Sequence, residues 1–318
     1  MRSRNFLFLI GVALFAAILL FLGPEGSAGI AATISRADPV IFAFAIILIA
    51  PCVFLKGLKQ QLLLVPFGKK ISLVESMEVW LAGYLLGAVS PGRSGDFLRS
   101  VYFKKNFGIK TGSGLSAVMV ERVLDMGFLL IAGILGFVYF SVVFEMPRGI
   151  ILALCAALAL FAALFFLILR KKTALGIGRK FFRLVPHSLK GRARQGFHDF
   201  FDGISGYKTA KKIIFFSVLI TVASWILFFF QVLLLAGSLH IGISFAAVSA
   251  MIPITSLAEI IPTVFGIGAR DFTLMGLFAA FGLSTEAAVS LSLLILLVEL
   301  IQSFFGVLFI RKLKKPGF

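Results

Sequence analysis

Pro91-Gly92-Arg93-Ser94-Gly95-Asp96-Phe97 breaks an apolar run, and nine residues later the chain reads Phe107-Gly108-Ile109-Lys110-Thr111. The phrase returns in the second half. Pro262-Thr263-Val264-Phe265-Gly266-Ile267-Gly268-Ala269-Arg270-Asp271-Phe272 is followed, after eight residues, by Phe281-Gly282-Leu283-Ser284-Thr285. Continued without gaps, the alignment sets Asp125 opposite Glu299. Proline removes a backbone donor and glycine relaxes φ, so each phrase ends a helix and allows a tight restart. Two interrupted apolar segments at matching positions of two halves are the sequence mark of a membrane protein built from repeats.

Composition agrees. Of 318 residues, 60% are hydrophobic, and mean hydropathy is +1.06, whereas soluble domains lie nearer half apolar. The net charge of +17 would suit nucleic acid were it spread over a surface. It is concentrated instead: residues 170–212 hold 12 of the 31 basic side chains against only Asp199 and Asp202. A basic stretch between apolar runs is a topology determinant and an attractor for anionic lipid. No nucleic-acid recognition motif accompanies it. Cys52 and Cys155 lie in apolar runs, and His187, His198 and His240 lack ligand spacing. Neither a disulfide framework, a metal site nor a cofactor is expected.

A full crossing needs about 20 apolar residues. Six segments are acceptable: about 6–22, 39–55, 113–140, 149–169, 213–239 and 287–310. The first, preceded by Arg2 and Arg4, resembles a signal peptide but is longer than the usual signal core, so it reads as a retained span. Val79–Val89 is too short, at about 16 Å of helix. Residues 241–285 are interrupted by Glu259, Pro262 and the glycines. These two read as broken, re-entrant hairpins.

Basic residues on the cytoplasmic face fix the orientation. They are satisfied only if 71–110 enters and leaves from inside and 241–285 from outside. The expected fold is therefore an all-α polytopic membrane protein: about six full transmembrane helices plus two re-entrant hairpins arranged as inverted repeats. It forms one membrane domain over 1–318, with repeat-like halves near 71–140 and 241–310. Both termini and the basic loop 170–212 fall in the cytoplasm. Phe181, Phe182, Leu184 and Val185 amid basic residues suit a helix lying on the inner leaflet, or a plain solvated connector.

Ionisable residues inside a bilayer are costly and mark a pathway or a pair. Here they cluster at the breaks and on the helices that follow: Arg93, Asp96 and Arg99; Glu121, Arg122 and Asp125; Glu259, Arg270 and Asp271; Glu299. Glu121 and Asp125 share one helix face, which demands a cation between them. Arg93 and Arg122 are the expected ones, and Arg270 the expected partner of Glu299 or Glu259. Pro91, Gly92, Gly95, Pro262, Gly266 and Gly268 shape the breaks. A break exposes free N–H groups at a positive dipole end, and an arginine beside it suits a phosphate. Each charge also reads as a structural ion pair pinning a broken helix.

Pro91 to Arg99 resembles the Pro-x-x-x-Gly-Glu-x-x-Arg motif of the lysylphosphatidylglycerol synthase transmembrane, flippase-like family. Glu121-Arg122-Val123-Leu124-Asp125 resembles its Glu-Arg-x-x-Asp, and Pro262 to Asp271 its Pro-x-x-x-Gly-x-Gly-x-x-Glu. The resemblance covers roughly residues 6–312. Asp96 and Asp271 stand where the family has Glu. It implies a stand-alone integral protein of a prokaryotic inner (plasma) membrane, not an enzyme. Such a protein moves an anionic, aminoacylated or glycosylated lipid between leaflets, with Arg93 and Arg270 on phosphate. Glu121, Asp125, Glu259 and Glu299 would neutralise those cations or carry protons. A lipid-modifying enzyme and a second copy of the chain are the expected protein partners. An enzyme acting on lipid phosphates and a scaffold for a lipid-modifying enzyme are the competing readings.

Overall fold

A computed structural model describes residues 28–69, 71–143, 187–259 and 266–314, with isolated positions 156, 159 and 163. The described residues are mostly helical, with no strand among them. After a helical segment at 28–35 the elements run α1 (Pro39–Ile47), α2 (Ile49–Leu64), α3 (Leu73–Ala88), a 3₁₀ stretch (Pro91–Leu98), α4 (Arg99–Phe107) and α5 (Thr111–Val143). Then come α6 (His187–Gly206), α7 (Lys211–Ser238), α8 (Phe245–Ala258), α9 (Ala269–Ala280) and α10 (Thr285–Lys314).

Helix starts follow local chemistry. Asp38 accepts the amides of Val40 and Ile41, with Pro39 in the first helical position. Ser72 and Ser244 accept the amides of Glu75 and Ala247. Among the described residues, four helical spans are long and apolar enough to cross a membrane: Pro39–Phe67, Thr111–Val142, Lys211–Ser238 and Thr285–Phe309. They take in four of the six expected crossings. The other two, 6–22 and 149–169, lie outside the described residues, as does Pro262. The span that begins at Pro39 runs well beyond the expected end at 55, and so carries Lys56 and Lys59 within its helix.

Both broken segments form a helix, a break and a second helix. In the first, the 3₁₀ stretch folds back along α3, with Gly95 against the Leu86 carbonyl. It is eight residues long, whereas 3₁₀ runs beyond about four residues are uncommon. Ser90 holds it, accepting the Gly95 amide at 2.6 Å and donating to the Gly87 carbonyl at 3.0 Å. In the second, α8 packs on α9 across the break. Gly266 and Gly268 have φ of +69° and +89°, backbone that a side chain would strain.

The packing between halves is exchanged. The leading helix of the first hairpin, α3, packs on α10, and the leading helix of the second, α8, packs on α5. Each contact includes a glycine set close against the facing backbone. A methyl group built on Gly306 would lie 2.5 Å from the Leu81 carbonyl, and one on Gly136 would lie 2.5 Å from the Ala250 carbonyl. Small residues that let backbones approach are how helices associate where lipid competes for apolar side chains. Around these contacts lies the main core, which draws Trp80, Leu81, Tyr84, Ala250, Met251, Leu291 and Val298 from both halves.

Within the basic loop lies α6; the apolar residues expected to form an amphipathic helix there, Phe181, Phe182, Leu184 and Val185, lie outside the described residues. Helix α6 packs on the start of α5, where Gly112 lies against the Gly196 carbonyl and Gly203 against Ser116. Tyr207 donates to the Leu63 carbonyl and ties the end of α6 to α2.

Candidate functional site

The charges fall into two networks, both anchored on the long helix of a half. In the first, Asp125 on α5 receives three donors on a single carboxylate oxygen: Lys59 at 2.8 Å, Lys56 at 3.0 Å and the Trp225 indole at 3.2 Å. Lys59 also donates to Thr221 at 3.2 Å and has no exposed surface. One turn earlier, Glu121 accepts from Arg99 at 2.8 Å and from the Trp80 indole at 3.0 Å. Arg99 also donates to Gln60 at 2.7 Å and to the Asp96 carbonyl at 3.2 Å. Asp96 takes Arg122 through its carboxylate. Every acid of this network is buried and directly hydrogen-bonded to a cation.

This departs from the expected pairing. Arg122 follows Glu121 by one residue and so points about 100° round the helix from the face that Glu121 shares with Asp125. It turns to the 3₁₀ stretch instead. Arg93 turns toward Glu259 and Glu299 of the second half. The cations between Glu121 and Asp125 come from Arg99, on the far side of the break, and from Lys56 and Lys59 on α2. The lysines read in sequence as charges marking the end of a span, because nothing local links residue 59 to residue 125.

The second network holds Glu259, Arg270, Asp271 and Glu299. Arg270 donates to Glu299 at 3.0 Å, to the Ser292 hydroxyl at 3.0 Å and to the Ser292 carbonyl at 3.4 Å, and lies 3.6 Å from Glu259. Both expected partners of Arg270 are therefore present. Asp271 accepts the Gly268 amide at 2.8 Å and the Ser292 hydroxyl. The carboxylate of the third residue of α9 thus reaches back to the amide of the residue before the helix, at the break expected to receive a phosphate. Arg270 is also fully engaged, which leaves it no free face for a ligand.

Arg93 joins the halves. Its guanidinium lies 3.9 Å from both Glu259 and Glu299 and over the Tyr84 ring, 5.3 Å from its centroid. Neither ion pair is close enough for a hydrogen bond. The Arg93 side chain is 37% exposed against 3% for Arg270. Its backbone is left-handed, with φ of +53°, a conformation that costs a non-glycine residue about 1–2 kcal/mol. Strain of this kind persists where surrounding structure holds it, and often at functional positions. Tyr84 stacks on Trp80 at 5.3 Å, so aromatic packing runs from the Glu121 network to Arg93.

The structure thus brings all ten charged site residues into these two networks. It also adds Lys56, Lys59, Gln60, Trp80, Tyr84, Trp225 and Ser292, which the sequence reading missed. Among the described residues no group of three or more His, Cys, Asp or Glu is arranged to hold a metal. Outside the spans, burial and then its hydrogen bond to Glu75 push the Tyr102 phenol up.

Comparison with known proteins bears on the same residues. The family model described as the lysylphosphatidylglycerol synthase TM region matches residues 8–306, which includes both breaks and both networks. A UPF0104 membrane protein of Methanothermobacter thermautotrophicus is 24% identical over 299 residues, 89% of this chain and 87% of that one. A second from the same organism is 24% identical over 311 residues, 92% of this chain and 87% of its own length. A UPF0104 membrane protein of Methanocaldococcus jannaschii is 26% identical over 231 residues, 70% of this chain and 69% of that one.

Proposed function

We propose, for a multi-pass membrane protein that belongs to the lysylphosphatidylglycerol synthase TM-region family, that it carries a phosphate-bearing lipid head group between leaflets, with Arg93 as the phosphate contact. One observation carries the reading. Arg93 is partly exposed, stands at the meeting of the two halves, and its ion pairs among the described residues are too long for hydrogen bonds. A phosphate offers it bidentate geometry that neither glutamate now supplies. The other arginines are committed: Arg99 to Glu121 and Gln60, Arg122 to Asp96, Arg270 to Glu299 and Ser292.

In this reading the hairpins are re-entrant from opposite faces, the halves are inverted repeats, and both termini are cytoplasmic. The protein moves lipid rather than altering it. Its natural cargo is an anionic or head-group-modified lipid made by a separate enzyme. Exchanged packing supports the repeat relation, since each half supplies the long helix against which the other half's hairpin moves.

The test is translocation of a head-group-labelled phosphatidylglycerol in reconstituted vesicles. Purified protein is expected to raise the rate above that of protein-free vesicles. Arg93→Ala is expected to abolish the gain, and Arg93→Lys to keep part of it. Full activity in Arg93→Ala would remove the site assignment, and absence of any gain with the unaltered chain would remove the function.

A further inference from the structure

The charge arithmetic around Arg93 has a consequence for what accompanies the head group. Glu259, Glu299 and Asp271 face two cations, Arg93 and Arg270. When a phosphate takes Arg93, three carboxylates remain against Arg270 alone. Burying unpaired carboxylate charge is unfavourable, and the three acids repel one another. Asp271 keeps the Gly268 amide and the Ser292 hydroxyl, and Glu299 keeps its 3.0 Å hydrogen bond to Arg270. Among the described residues, the cation left to Glu259 is Arg270 at 3.6 Å, beyond hydrogen-bond distance.

We infer that Glu259 takes up one proton for each phosphate-bearing head group that engages Arg93. The inference rests on the carrier reading above and names the coupling ion of that same site. Every charged or titratable group facing Glu259 bears on it: Arg93 on the 3₁₀ stretch, Tyr84 on α3, Arg270 and Asp271 on α9, and Glu299 on α10. Two of these are acids that disfavour a second negative charge once Arg93 has gone. A metal cation in place of the proton would need several oxygen ligands and would stand beside the fixed Arg270 guanidinium. A proton needs one carboxylate oxygen. The step balances simply: an O–H bond forms on Glu259, the proton comes from solvent, and nothing is oxidised or reduced.

The position of Glu259 suits this role. It is the residue that closes α8, and its side chain lies under the second break, where a methyl group built on Gly266 would come within 2.8 Å of Glu259 Cγ. Its side chain is 18% exposed against 11% for Glu299, so it is the glutamate with the better access to solvent. Arg93 and Glu259 come from the two opposite breaks. Movement of either hairpin therefore changes the contact that decides whether Glu259 holds its charge.

The experiment is calorimetric titration of the purified full chain in detergent with short-chain dihexanoyl phosphatidylglycerol. It is run near neutral pH in two buffers of different ionisation enthalpy, which reads the number of protons taken up per molecule bound. About one proton is expected for the unaltered chain. The dissociation constant is then expected to fall as pH falls, by up to about tenfold per unit, since one proton binds with the ligand. Glu259→Gln is expected to bind with almost no proton uptake and a flat pH profile. Binding by the unaltered chain with no proton uptake, or uptake that survives in Glu259→Gln, would overturn the coupling and leave the carrier reading standing. Sodium-dependent binding without proton uptake would overturn it in favour of a metal cation. Absence of binding by the unaltered chain, or binding unaffected by Arg93→Ala, would sink both. Circular dichroism and a monodisperse elution profile establish that each variant is folded.

Discussion

The two networks are built from similar residues and behave as opposites. Around Asp125 and Glu121 the acids meet direct donors at 2.8–3.2 Å, and the cations are drawn from α2 and α4. Around Glu259 and Glu299 one arginine is fixed and the other stands off at 3.9 Å. Burial explains the contrast. A buried pair holds only with good geometry, and in the first network each buried carboxylate is met by a cation at hydrogen-bond distance. The second leaves one cation partly exposed and without a hydrogen bond to either glutamate. The first reads as a fastening and the second as a place of exchange.

That contrast can be broken by experiment, beginning with the largest effect. Asp125→Ala strands Lys59 with no exposed surface and only Thr221 to receive its ammonium. A loss of about 3–5 kcal/mol is expected, the usual cost of removing one partner of a buried pair. It is to be measured as a lower midpoint in SDS-driven unfolding, and a loss below 1 kcal/mol would show the network is no fastening. Next, Gly306→Leu and Gly136→Leu force side chains into the Leu81 and Ala250 carbonyls. Each is expected to cost at least about 1–3 kcal/mol by overpacking, and similar losses from the two would sharpen the exchanged packing into a true correspondence.

Arg93→Ala should shift the same midpoint by less than about 1 kcal/mol, since loose half-exposed ion pairs contribute little, while head-group transfer disappears. A large stability loss here would erase the distinction between the networks. Smallest of all, Lys110→Ala removes a 3.2 Å pair to Asp199 whose lysine is 70% exposed. It is expected to change stability by under about 0.5 kcal/mol.

Much of this was legible in the sequence, for identifiable reasons. The breaks announce themselves through proline and glycine, whose effects are local. Arg270 meets Glu299 and Glu259 as its place after the second break suggests. The partners of Asp125 were not legible. Lys56 and Lys59 lie beyond an apolar run, where lysine ordinarily marks a span's end, and only the continuation of α2 to Leu64 carries them inside. The donors Trp80 and Trp225 look like ordinary aromatics until the fold turns their N–H groups onto carboxylates. Asp271 reads in sequence as ligand chemistry, a carboxylate beside an arginine, and its hydrogen bond to the Gly268 amide at the start of α9 was not anticipated.

The glycine seats at 136 and 306 bear on how the chain can be divided. The helix that ends at Lys314 packs on the leading helix of the first broken segment, and the helix that starts at Thr111 packs on the leading helix of the second. A cut in the basic loop would therefore part each leading helix from the long helix it packs on. Fragments expressed from separate genes should then assemble only when co-produced.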